Sequence, residues 1–145
     1  MLPVDVVVAQ QFAAHARSRV VAVDEVGPAD MILDIGPRSI EHVTSVLARS
    51  KTLVWNGPFG AFEVEPFDNG TVEVAEAVAE LTEAKKLVSF AGGGDTVAAL
   101  NVAGVMGRLS HISTAGGAFL ESLEGKTLPG VEVLLVRETS TAAGA

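Results

Sequence analysis

Leu87-Val88-Ser89-Phe90-Ala91-Gly92-Gly93-Gly94-Asp95-Thr96 passes from five apolar or small residues into three consecutive glycines and then into a stretch, Asp95 to Val102, that reads as helix. A short apolar run stopped by glycine and followed at once by a helix is one half of a β-α-β unit. The pattern recurs on both sides. Val4–Ala9, Val20–Val23, Met31–Ile35, Thr52–Trp55 and His111–Ser113 are further strand-like runs, most of them closed by Gly or Pro. Pro37 suits a first helical position, where its missing N–H is not needed, and Ile40, Val43, Val46 and Leu47 then share one helical face. Val74, Val78 and Leu81 repeat that spacing after Asp68-Asn69-Gly70-Thr71, and Ala118–Leu123 predicts a last helix. Strands apolar on both faces and separated by helices predict an α/β fold, a parallel sheet with helices on both faces in a Rossmann-like three-layer arrangement. Right-handed crossovers would bring the strands' C-terminal ends to one edge, where ligands bind in such sheets.

The chain has 145 residues, the size of about one domain. Ten Lys and Arg face eighteen Asp and Glu, a net charge of −8, which argues against nucleic acid as a partner because phosphate backbones are bound by basic surfaces. It leaves open a small anion held by backbone amides and a cation. Without cysteine, disulfide scaffolds, Cys-based zinc sites and thiol catalysis are excluded. The apolar runs are far shorter than the ~18 residues of a membrane helix, and no signal-peptide pattern opens the chain. The expectation is a cytoplasmic protein with no membrane partner.

Glycine removes every Cβ from 92 to 94, so a ligand can approach the backbone, and free N–H groups with the positive end of a helix dipole favour phosphate. Asp95 suits a Mg²⁺ ligand or a cap, and the Thr96 hydroxyl could reach phosphate; a tight turn that Asp95 or Thr96 merely caps is equally compatible. No Lys follows, so this is not a Walker loop. Ser113-Thr114-Ala115-Gly116-Gly117 is a second such turn. Two on one rim suit a polyphosphate, or two phosphorylated ligands meeting. Trp55-Asn56-Gly57-Pro58-Phe59-Gly60-Ala61-Phe62-Glu63 is an aromatic, stiffened loop with one amide and one carboxylate. Apolar walls would hold a base and the carboxylate ribose hydroxyls; Trp55, which continues the strand, reads as core. His15 and His42 read as surface residues in helical, polar surroundings, and His111 as a local hydrogen-bonding group.

Together these segments resemble the phosphoglycerate kinase family, specifically the later part of its C-terminal, nucleotide-binding domain. The resemblance runs from Leu2-Pro3-Val4-Asp5 through Leu33-Asp34-Ile35-Gly36-Pro37, Trp55-Asn56-Gly57-Pro58, Gly92-Gly93-Gly94-Asp95-Thr96 and Ser110-His111-Ile112-Ser113-Thr114 to Leu128-Pro129-Gly130-Val131, nearly all of residues 1–136. It implies a partial nucleotide-binding domain over 1–136, followed by a loose tail at 137–145. The family transfers a phosphoryl group reversibly between 1,3-bisphosphoglycerate and ADP, giving 3-phosphoglycerate and ATP in glycolysis, with Mg²⁺. By resemblance, Leu33 would line the adenine and ribose pocket, while Asn56, Pro58, Ala61 and Phe62 would form the loop against the nucleotide. Glu63 would hold the ribose. Gly93, Gly94, Asp95 and Thr96 would meet the phosphates, with Asp95 toward the metal. Thr114, Gly116 and Gly117, with Gly93, would face the transferring phosphoryl group. Ala115 stands where the family usually has Gly, a β-carbon that crowds the backbone if positive φ is needed. Phe119 replaces a usual Ser, and Ile32 a usual Gly.

A family enzyme also has an N-terminal domain that holds the phosphoglycerate, and earlier C-terminal-domain strands with lysines that clamp the nucleotide phosphates. Neither lies within these 145 residues. Phosphoryl transfer depends on positioning and charge neutralisation, so the expectation is a chain nearly inactive alone, weak for Mg-nucleotide, with an exposed sheet edge. The intact family enzyme is implied to be a monomer. Alternatives are a non-catalytic nucleotide-binding module and a non-functional fragment.

Overall fold

The computed structural model describes residues 1–133. Its elements run β1 (Asp5–Ala9), β2 (Ser18–Ala22), β3 (Met31–Ile35), α1 (Pro37–Leu47), β4 (Thr52–Trp55), α2 (Asn69–Glu83), β5 (Val88–Gly92), α3 (Gly94–Val102), β6 (His111–Ser113) and α4 (Gly116–Leu123), with short 3-10 turns at Val23–Glu25 and Met106–Arg108. The tail at 137–145 lies outside the described residues, as does the side chain of Phe119.

The expected parallel sheet is formed by β4, β5 and β6, in that order, with Trp55 opposite Ala91 and Gly92 opposite Ser113. The first three strands do not join it. They make a separate antiparallel sheet in the order β2-β1-β3. A parallel crossover needs a dozen or more residues and usually a helix. Residues 10–17 supply neither, so β2 returns antiparallel beside β1, and residues 23–30 carry the chain across to the other edge of β1, which leaves β3 antiparallel to β1 and in the same direction as β2. The common rim is therefore set by β4, β5 and β6 alone.

Ile40 and Leu47 of α1, Val74 and Val78 of α2, Trp55, Leu87, Leu100 and Val105 form the core between helices and parallel sheet. Trp55 is only 6% exposed, as expected of a residue that continues its strand. The spacing of Ile40, Val43 and Leu47 turns one face of α1 inward, and Pro37 occupies its first turn. Gly36 caps α1 without a side chain of its own. Asp5, from β1, supplies the missing cap, its carboxylate accepting from the Arg38 and Ser39 amides and from the Ser39 hydroxyl. That ties the antiparallel sheet to α1.

Candidate functional site

Three turns leave the C-terminal ends of β4, β5 and β6, and they meet at Gly93. A β-carbon on Gly116 would fall on Gly93 Cα and within 2.5 Å of its nitrogen, so the backbones of the two glycine turns touch. A β-carbon on Gly93 itself would lie 3.0 Å from Asn56 Oδ1 and 3.4 Å from Thr96 Oγ1. Gly93 has φ +100°, a left-handed conformation that glycine adopts without strain. No side chain caps α3 or α4, whose N-terminal amides stand beside one another, and Gly94 and Gly117 face open space. Uncapped amides and aligned dipoles at two adjacent helix starts create positive potential in an acidic chain. Asp95 is exposed in the first turn of α3, and Thr114 is exposed ahead of α4. Ala115 has φ −100°, so its β-carbon meets none of the conflict that a left-handed position would impose.

Thr96 sits differently from the expectation. It is 1% exposed, and its hydroxyl accepts from the Gly57 amide at 2.7 Å. It belongs to a set of pins on the 56–62 loop. Alternate amides of that loop are each held by a different element: Gly57 N by Thr96 of α3, Phe59 N by the Thr71 hydroxyl of α2 at 3.1 Å, and Ala61 N by the Leu33 carbonyl of β3 at 2.8 Å. Trp55 Nε1 donates to the Gly57 carbonyl at 2.6 Å, and its ring meets that of Phe59 edge-on at 5.7 Å.

Leu33 reaches the loop because β3 is irregular there. Val7 pairs with Asp34 and Val8 with Ile32, which leaves Leu33 as the extra residue of a bulge. Bulges re-aim backbone and side chains; this one frees the Leu33 carbonyl for Ala61. Phe62 is 7% exposed, its ring packed within the protein, and Glu63 beside it is exposed. The expected residues thus fall into two groups. Asn56, Gly93, Gly94, Asp95, Thr96 and Gly116 converge on the glycine turns, while Leu33, Ala61, Phe62 and Glu63 lie where the loop crosses β3. Pro58 joins them.

A cleft of about 320 Å³ runs beside the loop, lined by Val43, Leu53, Val54, Asn56, Pro58 and Phe59 among others. A larger one, about 540 Å³, lies at the β1–β2 hairpin around Gln10, Arg17 and Arg19 and shares no residue with the glycine turns. Among the described residues, no cluster of three or more His, Cys, Asp or Glu could enclose a metal. A lone Asp95 beside open amides nevertheless suits Mg²⁺, which commonly takes one or two carboxylates with ligand phosphates and waters.

Sequence reasoning passed over Asp34. It is 1% exposed, its Oδ2 accepts from the Gly70 amide at 2.7 Å and its Oδ1 from Ile35 N at 2.8 Å. Burial pushes its carboxyl up to about 6 against the pull of those two amides, and the charges of Asp68 and Glu73 add to the rise. The available signal was one acid inside the apolar run Met31–Ile35, since such residues are almost never fully buried unless partnered. The same signal marked Asp5. His15, expected in helical surroundings, instead occupies a turn with φ +58°, its amide donating to the Glu65 carbonyl. His42 is exposed on α1, and His111 opens β6 with its ring 6.2 Å from that of Phe90.

The phosphoglycerate kinase family model matches residues 1–126. The chain is 64% identical to a phosphoglycerate kinase of Azorhizobium caulinodans over 134 residues, covering 92% of this chain and 34% of that protein. It is 63% identical to the corresponding protein of Xanthobacter autotrophicus, with the same coverage. Among solved structures, phosphoglycerate kinase from Coxiella burnetii superposes with a TM-score of 0.84 at 44% identity, over 92% of this chain and 34% of that one. The chain thus spans about a third of the length of the relatives it matches. With the family model covering most of its residues and two glycine turns meeting at one sheet rim, the chain belongs to the phosphoglycerate kinase family.

Proposed function

We propose that this chain is the later part of a phosphoglycerate kinase C-terminal domain and supplies part of the Mg-nucleotide site for reversible phosphoryl transfer between 1,3-bisphosphoglycerate and ADP. The observation that carries the reading is the contact of Gly116 with Gly93, which sets two uncapped helix starts side by side. The α3 amides at Gly94 and Asp95 take the nucleotide phosphates, and the Asp95 carboxylate would hold Mg²⁺. Mg²⁺, when bound, neutralises phosphate charge that the acidic chain would otherwise repel. Thr114, Gly116 and Gly117 face the phosphoryl group in transfer, with Gly93 between. Asn56 and Pro58 form the near wall of the nucleotide. Leu33, Ala61 and Phe62 form the base end, and exposed Glu63 accepts from ribose hydroxyls. Thr96 acts on the loop through Gly57 more directly than on phosphate.

The second substrate, 3-phosphoglycerate or 1,3-bisphosphoglycerate, is held by the remaining part of a complete family enzyme, which works in the cytoplasm. A helix N-terminus contributes ~0.3–1 kcal/mol per favourable charge, whereas loss of a cationic clamp costs about 10³–10⁵ in rate. The 145-residue chain is therefore expected to bind Mg-ADP weakly and to turn over almost nothing. Titration with ADP and Mg²⁺, followed by Trp55 fluorescence or calorimetry, tests the site; absence of saturable binding at about millimolar nucleotide removes the reading. A coupled assay tests the rest, and turnover near that of a complete enzyme would contradict the expected inactivity.

A further inference from the structure

We infer that Asp34 is the positioning residue of the nucleotide loop: from the bulge in β3 its carboxylate fixes Gly60 and the first turn of α2, and so sets the path of Asn56–Glu63. Two observations beyond the hydrogen bonds place it there. A β-carbon on Gly60 would fall on Asp34 Oδ1 and on the Phe67 carbonyl, and one on Gly70 would come within 2.5 Å of Oδ1. The middle of the loop and the first turn of α2 thus pack against one carboxylate, at positions where only glycine leaves room. The backbone on either side is anchored beside it, Ala61 N on the Leu33 carbonyl and Gly70 N on Asp34 Oδ2. The other pins, Thr71 and Thr96, are neutral hydroxyls. Asp34 is the one buried charge in contact with the loop among the described residues.

That charge makes the loop's packing proton-linked. Val7 stands opposite Asp34 across β1, Gly60 and Phe67 line it from the loop, and Asp68 and Glu73 are the charged groups beside it, both acidic. His15, whose amide bonds the Glu65 carbonyl, is the titratable residue bonded to the loop's far end. A carboxyl raised to about 6 favours the packed arrangement when protonated; as pH rises through that value, ionisation favours arrangements in which water reaches it. Trp55 reports the loop directly, because its Nε1–H donates to the Gly57 carbonyl.

The experiment compares the wild-type chain with Asp34→Asn, Asp34→Ala and Gly60→Ala, with Gly107→Ala as the control because a β-carbon there meets nothing. Trp55 emission is read between about pH 5 and about pH 7.5, far-UV circular dichroism reports folding, and Mg-ADP is titrated at each end. Wild type should show an emission change centred near pH 6. Asp34→Asn, close in shape, should abolish that change while all three histidines remain. Asp34→Ala and Gly60→Ala should shift the emission at every pH and weaken Mg-ADP about tenfold. The control should match wild type. Persistence of the wild-type pH profile in Asp34→Asn overturns the inference, as does wild-type emission in Gly60→Ala or Asp34→Ala. If Asp34→Ala does not fold, Asp34→Asn and Gly60→Ala decide. The affinity arm rests on the proposed function; the emission arm does not. A chain that fails to bind Mg-ADP but shows the Asp34-dependent emission change retires the proposed function alone.

Discussion

Asp5 and Asp34 are both buried aspartates that answer to backbone amides at a helix start, yet their carboxyls move in opposite directions. At Asp5, burial works to raise the value, but the Ser39 hydroxyl, the Arg38 and Ser39 amides and the Arg38 charge together hold it below its usual 3.8. At Asp34 burial wins, because two amides are its only donors among the described residues and its charged neighbours are acidic. The consequences for stability have opposite signs. A raised carboxyl stabilises the fold most below its unfolded value, so the Asp34 contribution declines by at most about 3 kcal/mol as pH rises from about 4 to above 6. A lowered carboxyl contributes above its unfolded value, so the Asp5 contribution is lost on acidification below about 4. Thermal melts against pH should therefore show a maximum near about pH 4, with stability declining from there to about 6. Asp34→Asn should flatten the neutral side of that profile and leave the acid side unchanged.

Among elements, the decisive contact is between the α3 and α4 starts. Gly116→Ala would drive a β-carbon into the Gly93 backbone, and neither atom it meets can rotate away. Such overpacking costs ~1–3 kcal/mol; more important, it would part the two turns and remove saturable Mg-ADP binding in calorimetry. Gly117→Ala is one residue further along α4, where a β-carbon meets nothing. It should hold or raise the melting temperature, since Ala is favoured over Gly in a helix by about 1 kcal/mol. The contrast between neighbouring glycines separates a close-packing requirement from general loop chemistry. The 56–62 loop follows the same logic, its shape set by donors and acceptors from α2, α3 and β3 more than by its own residues.

At the scale of the molecule, two small sheets share one set of helices, and β4 has β5 as its sole strand partner among the described residues. Its outer edge carries Leu53 and Val54, the latter 45% exposed, next to a cleft continuous with Phe59 and Val43. An uncharged, unpaired edge is a template for another strand. The isolated chain should therefore associate as its concentration rises, and Val54→Lys should suppress this in sedimentation velocity while costing no more than about 0.5 kcal/mol of stability in a thermal melt.

Glycine and proline placement, apolar runs and helical spacing were enough to locate β1 to β6 and α1 to α4 to within a few residues, because those signals are local and act through backbone conformation. The glycine turns were equally legible, as was Trp55 in the core. Three things were decided only by the tertiary structure. The first three strands formed a sheet of their own because residues 10–17 are too short for a helical crossover and return β2 beside β1, after which β3 takes the other edge of β1. Thr96 became a loop pin because Gly57 comes within hydrogen-bond reach of it. Asp34 gained its Gly70 partner from 36 positions away, through a bulge that no composition reveals. What a buried polar group does depends on which distant donors fold around it, and that is information the local chain does not carry.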